Sequence, residues 1–454
     1  MGEAMDIWIL LLGGNPLPNF VAAGYLLKLD REDTDIMPVP DTIVLVYSSR
    51  TEDFYYTITE SERLTPRPRR FIRVDLEDRH REPLAIRQKL MSRLHELDQP
   101  GTDPITSIHL NYTGGTKPMA LNSFIAVSAF MEQRRARFVV SDLDPDLFSI
   151  VPIDMDVGED QLVGFPLKGD LRDYVKLDIG SLLKLHDMDV REAGTTDLIY
   201  GEDRVSVDRF VQEAVAVYRD FRPGRHNRAG ETLIFTEFSK RFSLKGRKPE
   251  EQEKNLIKQG IFEAQFPEIK ETFPSLHGLF DEDGHLIPPA YKFVDLFRGG
   301  WLEDYVLKHL LALKSREEID ADEIRKRVRA SYGDRETEID ITVMKGYQLF
   351  LVSCTTSREI GYVKQKAFEA LYRAEQLGGE HARVIVVSTM YNKEMRGNTF
   401  SRQHNLDQLK KDLEQFEVRH NCRLLGFDQL ALPGNDPNHL SGRLRHIIQG
   451  GKDD

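Results

Sequence analysis

The sequence predicts an α/β protein with an open, doubly wound N-terminal domain, a mainly helical connecting region and a second α/β domain at the C-terminus. Three observations lead to this prediction. Apolar runs alternate with helical stretches up to about residue 155, the alternation stops between 156 and 295, and strand-like runs return after residue 338. Alternation of strands and helices indicates a parallel sheet. The length of 454 residues also exceeds one ordinary core, so two or three domains are expected.

The first domain is predicted to span residues 1–155. Its strands are expected at five apolar runs, namely 7–12, 43–47, 71–74, 107–110 and 137–140. Such continuous apolar runs are typical of strands that are buried on both faces. Ligands of open α/β sheets bind beyond the carboxyl ends of the strands. The polar loops that follow these runs are therefore candidate binding sites.

The remaining chain is predicted to form a mainly helical connecting region, 156–295, and a domain at 296–454. A helix is expected from Trp301 to about Leu313, followed by a hairpin of the runs 338–344 and 347–353 around a Lys-Gly turn. A second helix, from about Tyr362 to Leu377, should end at the glycine pair that follows it, before a buried strand at 384–387.

Composition and charge exclude several classes of protein. The formal net charge of −12 argues against a purely electrostatic nucleic-acid coat, so any polynucleotide contact must be local. Two cysteines cannot form the disulfide framework of a small secreted domain. The apolar run at 7–12 is far shorter than the roughly 20 residues that span a bilayer. We therefore expect a cytoplasmic protein with no membrane contact.

The loop at 111–119, NYTGGTKPM, has the chemistry of an anion site. Adjacent glycines allow backbone amides to approach a ligand, Thr113 and Thr116 offer hydroxyls, Lys117 offers charge, and a helix start adds a positive dipole end. The spacing is not that of a P-loop, and a tight strand-to-helix turn explains the glycines equally well. Small polar residues also follow the first two strands, as GGNP and SSRT. These three strand ends could line one crevice.

The segments GGNPLPN, SSRTE and especially NYTGGTKPMA resemble the CARF domain, the CRISPR-associated Rossmann fold. The resemblance covers about the first third of the chain. It implies a Rossmann-like domain and a homodimer whose two pockets join to bind a cyclic oligoadenylate, most often cyclic tetra-adenylate. Matched residue by residue, it places ligand contacts at Gly14, Asn15, Ser48, Thr51, Thr113, Gly114, Gly115, Thr116 and Lys117, with Met119 as a further neighbour of adenine.

The predicted strand at 338–343 projects two carboxylates from one face, because side chains alternate along a strand. Glu338 and Asp340, together with Glu303 from the preceding helix, could hold Mg²⁺ or Mn²⁺ through oxygen ligands. A divalent ion there could activate water for phosphodiester hydrolysis. Alternation on any solvated strand face produces the same Glu-x-Asp spacing, and that is its commoner origin.

The region from the helix of Glu303 through the hairpin at 338–353 resembles the PD-(D/E)xK nuclease fold, that is, a restriction-endonuclease-like domain. Together with the first third of the chain, it resembles the CARF-fused ancillary nucleases of type III CRISPR systems. The position expected for the (D/E)-x-K motif is occupied by Ser353-Cys354-Thr355, so both the acid and the lysine are missing. Lys364 and Lys366 on the next helix could replace the lysine, with Lys366 preferred. Either side chain could instead simply cover apolar surface.

The leading hypothesis is a nuclease that a cyclic oligoadenylate activates and that cleaves DNA, RNA or both. One alternative is a catalytically degenerate sensor that binds nucleic acid or a protein partner without cleavage. Another is a sensor that hydrolyses its own cyclic ligand. A basic run at 325–329, RKRVR, lies beside the hairpin. It could contact a polynucleotide or pair with nearby acidic residues, and surface pairing is the commoner outcome.

Overall fold

A computed structural model describes residues 5–26, 28, 40–60, 70–132, 134, 136–155, 169–220, 271–283, 285–287, 290–357, 359–391, 406–415 and 421–451. These residues fall into two compact units. The first contains Met1–Asp189 with Lys345–Gln348 and Gln376–His381, and the second contains Val190–Met344, Leu349–Glu375 and Ala382–Asp454. Much of the predicted connecting region, 156–168 and 221–270, lies outside the described residues. The predicted boundaries near 155 and 295 stay predictions.

The first sheet has six strands, and all five predicted strands are present in it. In chain order they are β1 (Met5–Leu11), β2 (Thr42–Tyr47), β3 (Arg70–Asp75), β4 (Ile105–Asn111), β5 (Arg137–Asp144) and β6 (Ser149–Asp154). The spatial order is β3-β2-β1-β4-β5-β6. The first five strands pair in parallel, and β6 pairs antiparallel with β5. The α/β class predicted from the sequence is confirmed.

Helices connect the strands of this sheet, and their apolar faces form its core. They are α1 (Leu17–Leu26), α2 (Glu52–Glu60), α3 (Pro83–Leu97) and α4 (Lys117–Met131), followed by α5 (Leu171–Tyr174) and α6 (Ile179–Leu185). The strand order reverses between β1 and β4, because β2 and β3 lie on one side of β1 and β4 and β5 on the other. Such a switch point opens a crevice at the carboxyl ends of its two central strands.

The second sheet also has six strands. They are β7 (Asp189–Glu192), β8 (Glu323–Tyr332), β9 (Arg335–Lys345), β10 (Gln348–Thr355), β11 (Arg383–Ser388) and β12 (Cys422–Leu425). Their order is β12-β11-β10-β9-β8-β7, in which β8 and β9 are antiparallel and β10, β11 and β12 are parallel. The predicted hairpin corresponds to β9 and β10. The sequence prediction lacked β8, which contains the basic run, and β7, which lies in the predicted connecting region.

The remaining α-helices within the described ranges are α7 (Val207–Asp220), α8 (Ala290–Asp295), α9 (Trp301–Ser315), α10 (Ile360–Gly378), α11 (Leu406–Gln415), α12 (Phe427–Ala431) and α13 (Leu440–Ile448). Between α8 and α9 the chain forms one π-helical turn, Leu296–Gly300, in which Gly299 has a φ of 120°. Only glycine adopts this backbone readily, so the pair Gly299-Gly300 sets the start of α9. None of the helices among the described residues has the length and apolar character needed to cross a membrane.

Candidate functional site

The loops that follow β1 and β4 approach each other closely at the switch point of the first sheet. A Cβ atom on Gly13 would lie 2.7 Å from the amide nitrogen of Gly115, and one on Gly114 would lie 2.1 Å from the carbonyl oxygen of Leu11. Real Cβ atoms do not approach so closely, so these positions require glycine. Gly115 also has a φ of 76°. The glycines of the NYTGGT segment therefore hold two loops together as well as forming a turn.

The hydroxyl groups of this loop fix its shape. Thr113 accepts a hydrogen bond from the amide of Leu143 at 2.8 Å. Thr116 is the N-cap of α4 and accepts from the amide of Met119 at 3.4 Å. Lys117 begins the helix and is exposed. The loop thus presents an exposed cation at a helix N-terminus, where backbone N–H groups attract anions.

The other predicted ligand residues differ in how accessible they are. Gly14 is exposed, and Asn15 uses its side-chain oxygen to accept from the amide of Leu17 at 2.9 Å. Ser48 and Thr51 are buried, and the Thr51 hydroxyl accepts from the Ser48 amide at 3.1 Å. The side chains of Ser48 and Thr51 therefore shape the loop after β2. Met119 is only 1% exposed and packs in the core of this unit.

The loop after β3 also reaches this crevice, which sequence reasoning missed. The Thr116 hydroxyl donates to the carbonyl of His80 at 3.5 Å. His80 is 8% exposed, and its Nδ1 has no hydrogen-bond partner within the described part of the chain. The side-chain oxygen of buried Asn111 likewise has no hydrogen-bond partner among the described residues. The available signal was the polar segment after the third apolar run, since parallel strands end at the same edge of a sheet.

In the second unit, two partly buried carboxyl groups interact electrostatically. Glu303 is in the first turn of α9, and Asp340 is on β9. Burial raises the pKa of Glu303 to about 7, with a further contribution from the negative charge of Asp340. Burial also raises the pKa of Asp340, although this carboxylate accepts from the Cys354 amide at 2.8 Å and the Ser353 hydroxyl at 3.2 Å. Partly desolvated carboxyl groups with raised pKa values are typical of a functional site.

The structure distinguishes the two candidate lysines. The positive charge of Lys366 acts to lower the pKa of Asp340. Lys364 instead forms an ion pair with Asp412 at 2.7 Å. The Glu338 carboxylate is 42% exposed and pairs with Arg329 at 2.7 Å, and its negative charge also acts to raise the pKa of Asp340. Charge thus links Asp340 to Glu303 and to Lys366. Lys364 and Glu338 form their ion pairs with Asp412 and Arg329.

Sequence reasoning missed Arg327 and Asp295 at this site. The Arg327 guanidinium donates to Glu303 at 2.8 Å and to both carboxylate oxygens of Asp295, at 2.9 Å for the Nη2 bond. Asp295 ends α8, before the glycine kink, and no sequence pattern pointed to it. Arg327 belongs to the basic run, whose side chains pair with acidic residues throughout. Pairing with acidic residues is confirmed, but among the described residues only Arg325 pairs with an acid nearby in the sequence, Glu323, and the Lys326–Asp304 pair is buried rather than on the surface.

Glu303 and Asp340 fit a divalent ion in chemical type and in number, because Mg²⁺ is commonly held by one or two carboxylates and completes its shell with water. Their present arrangement does not form a closed ligand shell. No group of three or more His, Cys, Asp or Glu side chains within the described ranges is placed to hold a metal ion. In the same arrangement Glu303 bonds Arg327 and Asp340 bonds β10.

The fold and these sites define a two-unit α/β protein with an anion-suited crevice in one unit and a buried carboxyl pair in the other. Two solved structures are similar to it: protein VC1899 from Vibrio cholerae, and Can2 from Sulfobacillus thermosulfidooxidans in complex with cyclic tetra-adenylate. Each has a TM-score of 0.58 and 14% sequence identity, and the match covers 98% of this chain and 98% of the other. At this identity the likeness shows a shared fold. No family model and no curated protein matched the sequence.

Proposed function

We propose that this chain is a metal-dependent nuclease that a cyclic oligoadenylate, cyclic tetra-adenylate in the first instance, switches on in type III CRISPR antiviral defence. The nuclease part is supported by the electrostatic interaction of Asp340 with Glu303 and Lys366 and by the hydrogen bonds that hold the Asp340 carboxylate. The ligand part draws on the glycine-locked crevice and on the fold shared with Can2, a protein whose structure contains cyclic tetra-adenylate.

The cyclic ligand would bind at the switch point of the first sheet, across two copies of the chain in a homodimer. Phosphate groups would meet the N-terminus of α4 and the ammonium of Lys117. The ring can activate only if it binds the competent arrangement more tightly than the resting one.

In the second unit, Glu303 and Asp340 would hold Mg²⁺ or Mn²⁺. When bound, such an ion polarises the scissile phosphate and lowers the pKa of a water molecule. The Ser353 hydroxyl and the Cys354 amide orient the Asp340 carboxylate through hydrogen bonds. Lys366 supplies a fixed positive charge that stabilises negative charge developing on the phosphate. The expected substrate is DNA, RNA or both.

A second function has its own supporting observation. The (D/E)-x-K position carries Ser353-Cys354-Thr355, and the described residues form no closed metal shell. Both features favour a silent sensor, in which ring binding controls attachment to a nucleic acid or a protein partner and no bond is cut.

The test compares cutting and ring binding in the same preparations. Purified protein with Mn²⁺ is given supercoiled plasmid or single-stranded RNA and DNA, with and without cyclic tetra-adenylate. Asp340→Asn should bind the ring normally and lose cutting by at least a hundredfold. Glu336→Gln is the matched control, because it lies four residues away on the same strand and its side chain is exposed. Ring binding without cutting would leave the silent sensor, and decay of the ring alone would indicate self-hydrolysis.

A further inference from the structure

We infer that the guanidinium of Arg327 occupies the cation position of the carboxyl site, and that Asp295 belongs to that site as a third carboxylate. The inference deepens the proposed nuclease function and rests on it for its biological meaning. Arg327 and a divalent ion would then exclude each other. In the resting chain the position is filled by arginine, and a metal ion enters only when this side chain leaves.

The contacts of Arg327 support this assignment. Its Nε donates to Oε2 of Glu303 at 2.8 Å, its Nη2 donates to Oδ1 of Asp295 at 2.9 Å, and its Nη1 donates to Oδ2 of Asp295. One planar cation thus links two carboxylates that come from different elements. Glu303 is also the electrostatic neighbour of Asp340 and of Asp295. Two carboxyl groups therefore hold the guanidinium, and the charge of Asp340 acts on one of them, Glu303.

The backbone of Arg327 points to the same role. It has a φ of 58°, in the left-handed region that non-glycine residues rarely adopt. In the β8–β9 ladder, Lys326 pairs with Ile341 and Val328 with Ile339. Arg327, which would face Asp340 in this register, departs from strand geometry. Such departures persist only where the surroundings enforce them, and they concentrate at functional sites.

The glycine kink before α9 makes room for the guanidinium. A Cβ atom on Gly300 would lie 3.0 Å from Nη2 of Arg327 and 2.8 Å from the carbonyl oxygen of Asp295. A guanidinium holds two carboxylates on opposite sides of a planar group, whereas Mg²⁺ needs its oxygens at about 2.1 Å. The carboxylates cannot meet both demands at once. This competition explains why the described residues contain no closed set of metal ligands.

Metal binding without ring or nucleic acid tests the inference. Mn²⁺ is titrated into full-length dimeric or monomeric protein as purified, by calorimetry and by the electron paramagnetic resonance signal of unbound Mn²⁺. Arg327→Ala should bind Mn²⁺ at least tenfold more tightly than the unaltered chain. Adding Asp295→Asn to that variant should remove most of the gain. Arg329→Ala is the matched control, since Arg329 lies on the same strand and pairs with Glu192 and Glu338; its Mn²⁺ affinity should not change.

An equal Mn²⁺ affinity of Arg327→Ala and the unaltered chain would overturn the competition, and a double variant that keeps the full gain would remove Asp295 from the site. Circular dichroism shows whether Arg327→Ala is folded. If it is not, Arg327→Lys decides, because one ammonium cannot bond both carboxylates as a guanidinium does; at least a threefold gain is expected, and no gain counts against the inference. Absence of ring-dependent cutting would refute the nuclease proposal and would leave this titration unaffected.

Discussion

Lys326→Met should strongly destabilise the second unit. Lys326 and Asp304 form an ion pair in which the side chains are 2% and 1% exposed, and Asp304 also accepts from the amide of Ile199 at 2.7 Å. Removing the lysine leaves a buried carboxylate without its cation. Loss of one partner from such a pair is expected to lower the free energy of unfolding by about 3–5 kcal/mol. Burial already raises the pKa of Asp304 even with the lysine present, which shows how poorly water reaches it.

The two tryptophans of the chain make this loss measurable in one unit at a time. Trp8 lies in the first unit and Trp301 in the second, where it is 2% exposed. In a Trp8→Phe background, the fluorescence of Trp301 during urea unfolding reports the second unit alone. The urea concentration at the midpoint should fall. The dependence of the unfolding free energy on urea concentration should stay constant, because the surface exposed on unfolding does not change. Lys364→Met is the control, since its pair with Asp412 is solvated and its loss should leave the midpoint nearly unchanged.

A second substitution sharpens the test. Asp304→Leu added to Lys326→Met removes the stranded carboxylate, so the double variant should recover part of the lost stability. It leaves the amide of Ile199 without its acceptor, which is expected to retain a deficit of about 1–3 kcal/mol. A loss below 1 kcal/mol in the single variant, or a double variant no more stable than the single one, would refute the argument that this pair is closed from water.

Three further outcomes are expected. Gly114→Ala should weaken binding of cyclic tetra-adenylate at least tenfold in a filter-binding assay, because its Cβ would meet a carbonyl oxygen at 2.1 Å, whereas Gly434→Ala adds its Cβ in open space and should have no effect. Lys366→Met should lower the cutting rate at least a hundredfold at unchanged ring affinity, and Lys364→Met by less than threefold. Burial lowers the pKa of His309 from 6.5 to about 4, so its neutral form favours the folded state above pH 6.5 and that stability is lost as the pH falls towards 4. Between pH 7 and pH 5 the loss should be about 2 kcal/mol smaller in His309→Gln, measured by the urea midpoint.

The first sheet could be predicted because its strands carry their own signal. Runs such as 7–12 are apolar at every position, as strands buried on both faces must be. The strand β6 lacked that signal, because it is a short edge strand that contains Pro152. The strand β8 lacked it for a different reason. Its alternation includes a lysine that is buried only because Asp304, from another element, neutralises it.

The residues of the candidate site could be predicted in part, because spacing along a single strand or helix is visible in the sequence. Strand alternation and the preceding helix indicated Asp340 and Glu303, and helical spacing indicated Lys366 as one of two possible lysines. Local spacing could not show that Lys364 pairs with Asp412 or that Glu338 pairs with Arg329, because both choices depend on elements far away in the chain. Nor could it show a left-handed arginine in the middle of a strand. These features arise only when the sheet and the helices have assembled.

The contacts of Arg327 determine how much binding free energy the cyclic ligand would have to supply to open the carboxyl site. Moving a two-state equilibrium from about 1:99 to about 99:1 requires roughly 5.5 kcal/mol of preferential binding. Releasing Arg327 breaks three hydrogen bonds between charged groups, and each such bond is worth about 1.5–3 kcal/mol. Water and metal coordination replace part of that energy, and relief of the left-handed backbone returns about 1–2 kcal/mol more. The net free-energy cost of opening is then a few kcal/mol. Preferential binding of one ring to the open arrangement would have to supply that free energy. Stronger contacts of Arg327 would keep the site closed even with the ring bound. Weaker contacts would leave the carboxylates open to metal in the absence of the ring.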